Sequence, residues 1–501
     1  MSEPSTATPT TRERVVPPWL VLTVCCTAQF MATLAVSIVN VALPEIKDSL
    51  GFSSSDLQWV VNAYAVTFAG FLLLGGRLID LLGRRRVFVV GIVLFTAASL
   101  LGGLAPNSGT LVVARALQGL GAAVVTPASL AVLSTSFTDP RERGRAIGIW
   151  GAVAGAGGAF GALAGGALTK LDWRWTLLAD VPIGVLVAAG TLYAIHDRGT
   201  ATTRGTLDIP GALAVTGGVL ALVYGLVQPA RHGWGSAYTL GPVAAGLVLL
   251  ALFAVIEVRW ATTPLMRLGI LASRPVWSAN IVAFASGAVL FAMFYFVTLH
   301  LQYVVGYSPL KTGFAYLPLA FAIIVLARLA PPVITRYGTR AALTTGMALI
   351  VVGLAWLSRL DADTTFAADI LGPSILVGAG QGLVMASSTI AGTAGVAPHE
   401  TGLASGLLNA TRQLGGAIGL AALTTVANSR TEDRRKAAHA AQAGRDALAS
   451  GYALALGVGA LLAFVGLLAA TLAPGRPRGE EPAGRPAHAG QDQEAQAARQ
   501  G

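Results

Sequence analysis

Apolar runs of about twenty residues recur along this 501-residue chain from residue 19 to residue 472, and a run of that length crosses the ~30 Å hydrocarbon core of a bilayer as one helix. In hydrocarbon every backbone N–H and C=O must be bonded within the protein, so runs of this kind fold as helices packed on one another. Roughly fourteen are expected, at 19–40, 57–75, 87–104, 109–134, 144–168, 175–195, 209–228, 238–257, 277–299, 312–331, 341–358, 368–393, 402–426 and 451–472. With 54% hydrophobic and only 12% charged residues, the chain lies outside the range of soluble domains. The fold class is therefore an all-α polytopic membrane protein. The first run is too long, and too poorly followed by a cleavage site, for a signal peptide. The tails, 1–18 and 473–501, are rich in Pro, Ala, Gly and charge and read as disordered cytoplasmic segments.

The net charge of +10 follows from where the cations sit. With the N-terminus inside, roughly two thirds of the 34 Lys and Arg residues fall in cytoplasmic segments, as the positive-inside rule requires. That makes a nucleic-acid partner unnecessary. An even span number returns the C-terminus to the cytoplasm, giving a multi-pass protein of the cytoplasmic membrane. Cys25 and Cys26 are helix neighbours pointing about 100° apart, a poor metal pair and a poor disulfide. The six His residues are scattered, which argues against a metal, a cofactor or an enzyme's active site. No Walker A sequence occurs, so ATP is not the expected energy source.

Fragments recur between the two ends of the chain. RALQGLGAA (115–123) matches GAGQGLVMA (378–386), and GRAIGIWGAVAGAGGAFG (144–161) matches GLASGLLNATRQLGGAIG (402–419). Two six-helix bundles of one plan are expected, at 19–195 and 276–472. Residues 196–275 lie between them as linkers and a hairpin of two helices without counterparts.

The loop GRLIDLLGRRR (76–86) resembles the signature loop of the major facilitator superfamily, through Gly76, Leu78, Asp80, Gly83, Arg84 and Arg85; Arg77 lies within it. The resemblance implies a cytoplasmic gate latch, with the glycines allowing a tight turn and Asp80 accepting hydrogen bonds. A solvated basic loop is the plainer alternative. SIVNVALPEI (37–46), WRWTLLADVPIG (173–184) and GLLNATRQLGGAIG (406–419) narrow the resemblance to the fourteen-span drug:proton antiporters, the EmrB/QacA-type multidrug exporters. GAVAGAGGAFGALAGGAL (151–168) is similar to that branch's antiporter motif, carrying Gly157, Gly161, Gly165 and Gly166, with Ala162 where the family has proline. Glycines four apart share a helix face and permit close helix approach.

Intramembrane charge is costly, about 2.5–3.5 kcal/mol for a mid-span Arg on insertion scales, and so marks function. Arg115, followed by Gln118 and Gly119, resembles the superfamily's buried arginine, which the resemblance links to proton transfer; a snorkelling side chain is the alternative. Arg412 lies beside Asn409 and Gln413 as a polar stripe that lines a cavity or bonds helices together. None of the 24 acids falls at mid-span. Asp180 is the deepest and the leading proton carrier, or else an interfacial partner of Arg174. The family pattern implies an aspartate at position 35, where this chain has Ala35. Further cavity candidates are Gln29, Ser37, Asn40, Trp59, Asn62, Tyr64, Phe291, Phe294, Tyr295 and Phe296. Aromatic faces suit a small hydrophobic or cationic substrate. The resemblance implies proton-coupled export of drugs or natural products by alternating access, with protons and lipid as partners and a monomer assumed. A metabolite carrier of the same superfamily and a transport-dead sensor remain alternatives.

Overall fold

The computed structural model describes residues 17–137, 139–195, 208–260, 269, 273–394, 396, 401–437 and 443–473; both tails, and the side chains of Arg77 and Asp80, lie outside the described set. Among the described residues all regular structure is helical. In chain order come α1 (Pro18–Leu50), α2 (Trp59–Leu82), α3 (Arg84–Gly103), α4 (Ser108–Ser136), α5 (Pro140–Thr169) and α6 (Asp180–Ala194). Then come α7 (Ile209–Val227) and α8 (Ala237–Val255), which pack on each other. The remainder holds α9 (Arg274–Leu299), α10 (Leu317–Tyr337), α11 (Thr339–Leu357), α12 (Leu371–Thr393), α13 (Thr401–Ala437) and α14 (Ala443–Thr471).

Helix ends follow from local chemistry. The Asn107 side chain accepts from Thr110 N at 2.9 Å to start α4, and Asp208 accepts from Gly211 N at 2.8 Å to start α7, each satisfying an orphan donor of the first turn. Gly51 closes α1 at φ 67, with its N–H on the Lys47 carbonyl, a conformation that costs glycine nothing.

Eleven helical segments among the described residues are long and apolar enough to cross a membrane. Three expected spans are not among them, two of these, α2 and α5, being interrupted by residues outside the described set. In α2 and α5 the apolar stretches found are Trp59–Leu72 and Phe160–Thr169, and α13 carries Asn409, Arg412 and Gln413 in its apolar part. Several boundaries differ from expectation. Helix α1 runs through Pro44 to Leu50, well past residue 40. Helix α9 passes into a π-helical turn, His300–Val304. Helix α13 continues to Ala437, so the segment expected as a loop from 427 is helical for its first part. Its exposed end is solvated charge with an i,i+4 pair, Glu432 to Lys436 at 3.4 Å, a pairing that supports an exposed helix.

Packing divides along the sequence. Helix α1 lies along α5, α4 packs on α2 and α3, and α6 packs on α3; correspondingly α9 lies along α13, α12 packs on α10 and α11, and α14 touches α9, α11 and α13. Contacts that tie the sets together include α13 against α2, α5 against the short helix Pro309–Ala315, and α5 against α10. The glycines of α5 decide the first-half contact. Gly157 faces Thr33, Gly161 faces Ser37, and Gly165 faces the Ile38 backbone of α1, while Gly166 faces the Pro309 and Leu310 backbone. A methyl group at any of these positions would collide, so glycine sets the interhelix distance.

Candidate functional site

Arg115 is 1% exposed, although the sequence places it near a helix end. The energetic requirement that a buried guanidinium find partners is met by three groups from α2 and α4. Its Nε donates to the Val60 carbonyl of α2 at 2.8 Å, a terminal nitrogen donates to Gln118 Oε1 one turn along α4, and the guanidinium lies 4.7 Å from the Tyr64 ring centroid. Gln118 Nε2 in turn faces Ser99 Oγ of α3 at 2.7 Å and Asp180 Oδ2 of α6 at 3.3 Å. Asp180 is 1% exposed, and its Oδ1 has no partner among the described residues. One amide thus separates a buried cation from a buried carboxylate, in a site built by four helices. Arg174 instead pairs with Asp172 at 3.7 Å and lies over the Trp173 ring, leaving Asp180 to face inward.

The second polar cluster is in the other half. The half-buried Arg412 donates from a terminal nitrogen to Ser388 Oγ of α12 at 3.2 Å, and its Nε is buried without a partner. Thr411 Oγ1 donates to Asn280 Oδ1 of α9 at 2.8 Å. Gln381, at the position matching Gln118 in the repeated fragments, donates to the Ser286 carbonyl at 2.8 Å. Position 378, which matches Arg115, is a glycine packed on the Leu319 carbonyl. Asn409 and Gln413 are half-buried on the same helix.

The remaining candidates are dispersed. Gln29, Ser37, Asn40 and Asn62 are buried. Ser37 donates toward the Gly157 carbonyl at 3.3 Å, and Asn40 donates to the Val36 carbonyl of its own turn at 2.8 Å. Trp59 lines a surface hollow with Gly51, Phe52 and Val113. The Phe291 ring lies against Gly416. Phe294 meets the Tyr316 ring at 4.9 Å, and Tyr295 meets Phe296 edge-on at 5.3 Å. In the signature loop, Gly83 joins α2 to α3 at φ 87, and Arg85 donates to the Leu192 carbonyl at 3.0 Å. Gly76 has open space around it and Arg84 is half-buried. The side chains of Arg77 and Asp80 lie outside the described residues. Gly338, at φ 89 between α10 and α11, is the counterpart turn in the second half. The sequence signal for it, RYGTR (336–340), is weaker because only the glycine and flanking cations survive.

Sequence reasoning also missed two hydrogen bonds that join the end of α9 to α1. Gln302 Nε2 donates to the Val41 carbonyl at 2.8 Å and Tyr303 Oη donates to the Pro44 carbonyl at 3.3 Å. Tyr303 continues into a cavity of about 550 Å³ lined by Lys47, Tyr295, Thr424, Arg435 and Tyr452. A polar pair in the last turn of an otherwise apolar helix was the available signal. Replacing Gln302 by Ala removes one net hydrogen bond, about 1 kcal/mol. It is expected to raise cysteine labelling of positions around Val41 about fivefold; unchanged labelling would show that the contact does not hold the halves shut.

Similarity to known proteins agrees with this geometry. A family model described as Major Facilitator Superfamily matches residues 25–420. A puromycin resistance protein of Streptomyces alboniger is 41% identical over 460 residues, covering 89% of each chain. A cephamycin export protein of Amycolatopsis lactamdurans is 42% identical over 415 residues, 82% of this chain and 85% of the relative. Among solved structures, an inward-facing, unoccupied bacterial homologue of the human lysosomal transporter Spinster superposes with TM-score 0.62 at 17% identity, covering 91% of this chain and 96% of that one.

Proposed function

This chain belongs to the Major Facilitator Superfamily, and from that membership we propose that it exports small hydrophobic drugs, antibiotics or natural products across the cytoplasmic membrane by proton antiport. It is a transporter rather than an enzyme. The similarity to resistance and export proteins supports the direction and the cargo class. The observation that carries the coupling is the buried Arg115–Gln118–Asp180 network, in which a carboxylate with one unpartnered oxygen lies an amide away from a guanidinium. A group of this kind can hold a proton in one conformation and release it in another.

The architecture we infer has fourteen transmembrane helices: two six-helix bundles, α1–α6 and α9–α14, with α7 and α8 as an inserted hairpin. Both termini face the cytoplasm, as the distribution of cations supports. The bundles rock about a central site, and the Gln302 and Tyr303 contacts close the periplasmic side when the cytoplasmic side is open. Asp80 and the cations around it latch the cytoplasmic side in the opposite state.

The test is growth inhibition of a pump-deficient host with and without the gene, using a panel of lipophilic compounds, joined to proton flux in inverted vesicles. Export predicts a several-fold rise in inhibitory concentration for some compounds and substrate-induced proton movement. Verified protein in the membrane with neither response would overturn the reading.

A further inference from the structure

The two intramembrane arginines differ in one respect that bears on the cargo. Arg115 has an acid in its network. Arg412 has none among the described residues: no Asp or Glu occurs in α9, in α12, or in α13 before Glu432, the single acid of α2 is Asp80, whose side chain lies outside the described set, and Arg412 makes no ion pair there. Its stem is fixed because Gly287 of α9 packs directly on the Arg412 carbonyl and Cγ. Its guanidinium is steered by the Ser388 hydroxyl, while Nε is buried and unpartnered. One turn further on, Gly416 leaves room for the Phe291 ring. A guanidinium held in place and short of acceptors is a costly arrangement in low dielectric unless an anion completes it, and its planar fork fits a carboxylate or sulfonate.

We propose that the missing anion arrives with the cargo: Arg412 binds the anionic group of amphipathic substrates whose apolar or aromatic body lies toward Phe291. The aromatic residues counted in the sequence as suited to cations then serve as an apolar wall. Ala35, in place of an acid, is consistent with a carrier that does not select cations; it is fully buried among Met31, Tyr64 and Phe68. The inference rests on the export reading and narrows it to a charge class.

Purified full-length protein in proteoliposomes under a pH gradient tests it with three probes that share a fluorophore: N-dansyl-6-aminohexanoate, its methyl ester, and dansylcadaverine. Wild type is expected to accumulate the acid ahead of the amine, and Arg412→Gln to lower the acid-to-ester transport ratio about tenfold. Arg412→Lys retains part of the acid preference. Ser388→Ala, which removes only the steering hydroxyl, lowers the same ratio to a smaller degree and answers the question should Arg412→Gln not fold. An unchanged ratio in these variants, a wild-type preference for the amine, or loss of the acid preference when chloride replaces gluconate would overturn the assignment, the last by showing a site for inorganic anions. Transport of the ester with no acid preference defeats this inference alone, whereas no transport of any probe defeats the export reading with it.

Discussion

Asp180→Asn is expected to yield folded protein in the membrane that has lost proton-driven efflux by about a hundredfold or more, the size of effect that removing a proton-transfer group produces. Asparagine is nearly isosteric and keeps an oxygen to accept from Gln118 Nε2, so the network of Ser99, Gln118 and Arg115 is retained. What the amide cannot do is take up and release a proton. Two readouts separate coupling from collapse. Substrate exchange without a gradient persists in the variant, because it needs the binding site and the rocking motion only. Residual transport is flat against an imposed pH gradient, whereas wild-type efflux grows with it. Normal gradient dependence in the variant would remove Asp180 from the coupling step.

Gly165→Val is expected to abolish recovery of folded protein. The side chain would enter space held by the Ile38 backbone of α1, and a backbone carbonyl cannot rotate aside as a side chain can. Overpacking a well-packed contact costs about 1–3 kcal/mol, occasionally more, and several turns of α1 would have to move together. Gly158→Ala in the same helix meets nothing within 4 Å and serves as the control. Gly166→Val collides instead with Pro309 and Leu310 across the halves, so it should fold and shift the protein away from the state in which those elements touch. Size-exclusion profiles and melting of detergent-solubilised protein measure the first two, and cysteine accessibility measures the third. A Gly165→Val protein with wild-type melting would show that α1 and α5 do not depend on this contact.

The sequence located helices well and their ends poorly, for a physical reason. Apolar length is set by the bilayer, so α3, α4 and α9 are visible as composition. Where α1 leaves the apolar region it carries Pro44, Glu45, Lys47 and Asp48, residues that look like a loop, yet packing against the start of the second half carries the helix on to Leu50. The site was legible in its parts. Arg115, Gln118 and Asp180 stand out because polar atoms are expensive in a span. That Gln118 joins the other two, and that the Val60 carbonyl and the Tyr64 ring complete the arginine's surroundings, depends on helix rotation, which spacing along one helix does not encode. Ser388 and Gly287, which hold Arg412, are ordinary residues in sequence and become informative only through their contact.

Helix α13 spans 37 residues, about 55 Å at 1.5 Å per residue, against a hydrocarbon core of ~30 Å. It exceeds that core by roughly 25 Å, and its C-terminal end, with Glu432, Asp433, Arg434, Arg435 and Lys436, is exposed. Arg412, proposed to bind the anionic group of the cargo, and this exposed end belong to one continuous helix. A binder gripping that end from outside the bilayer would therefore hold the same helix that carries Arg412, and is expected to slow transport without itself crossing the membrane.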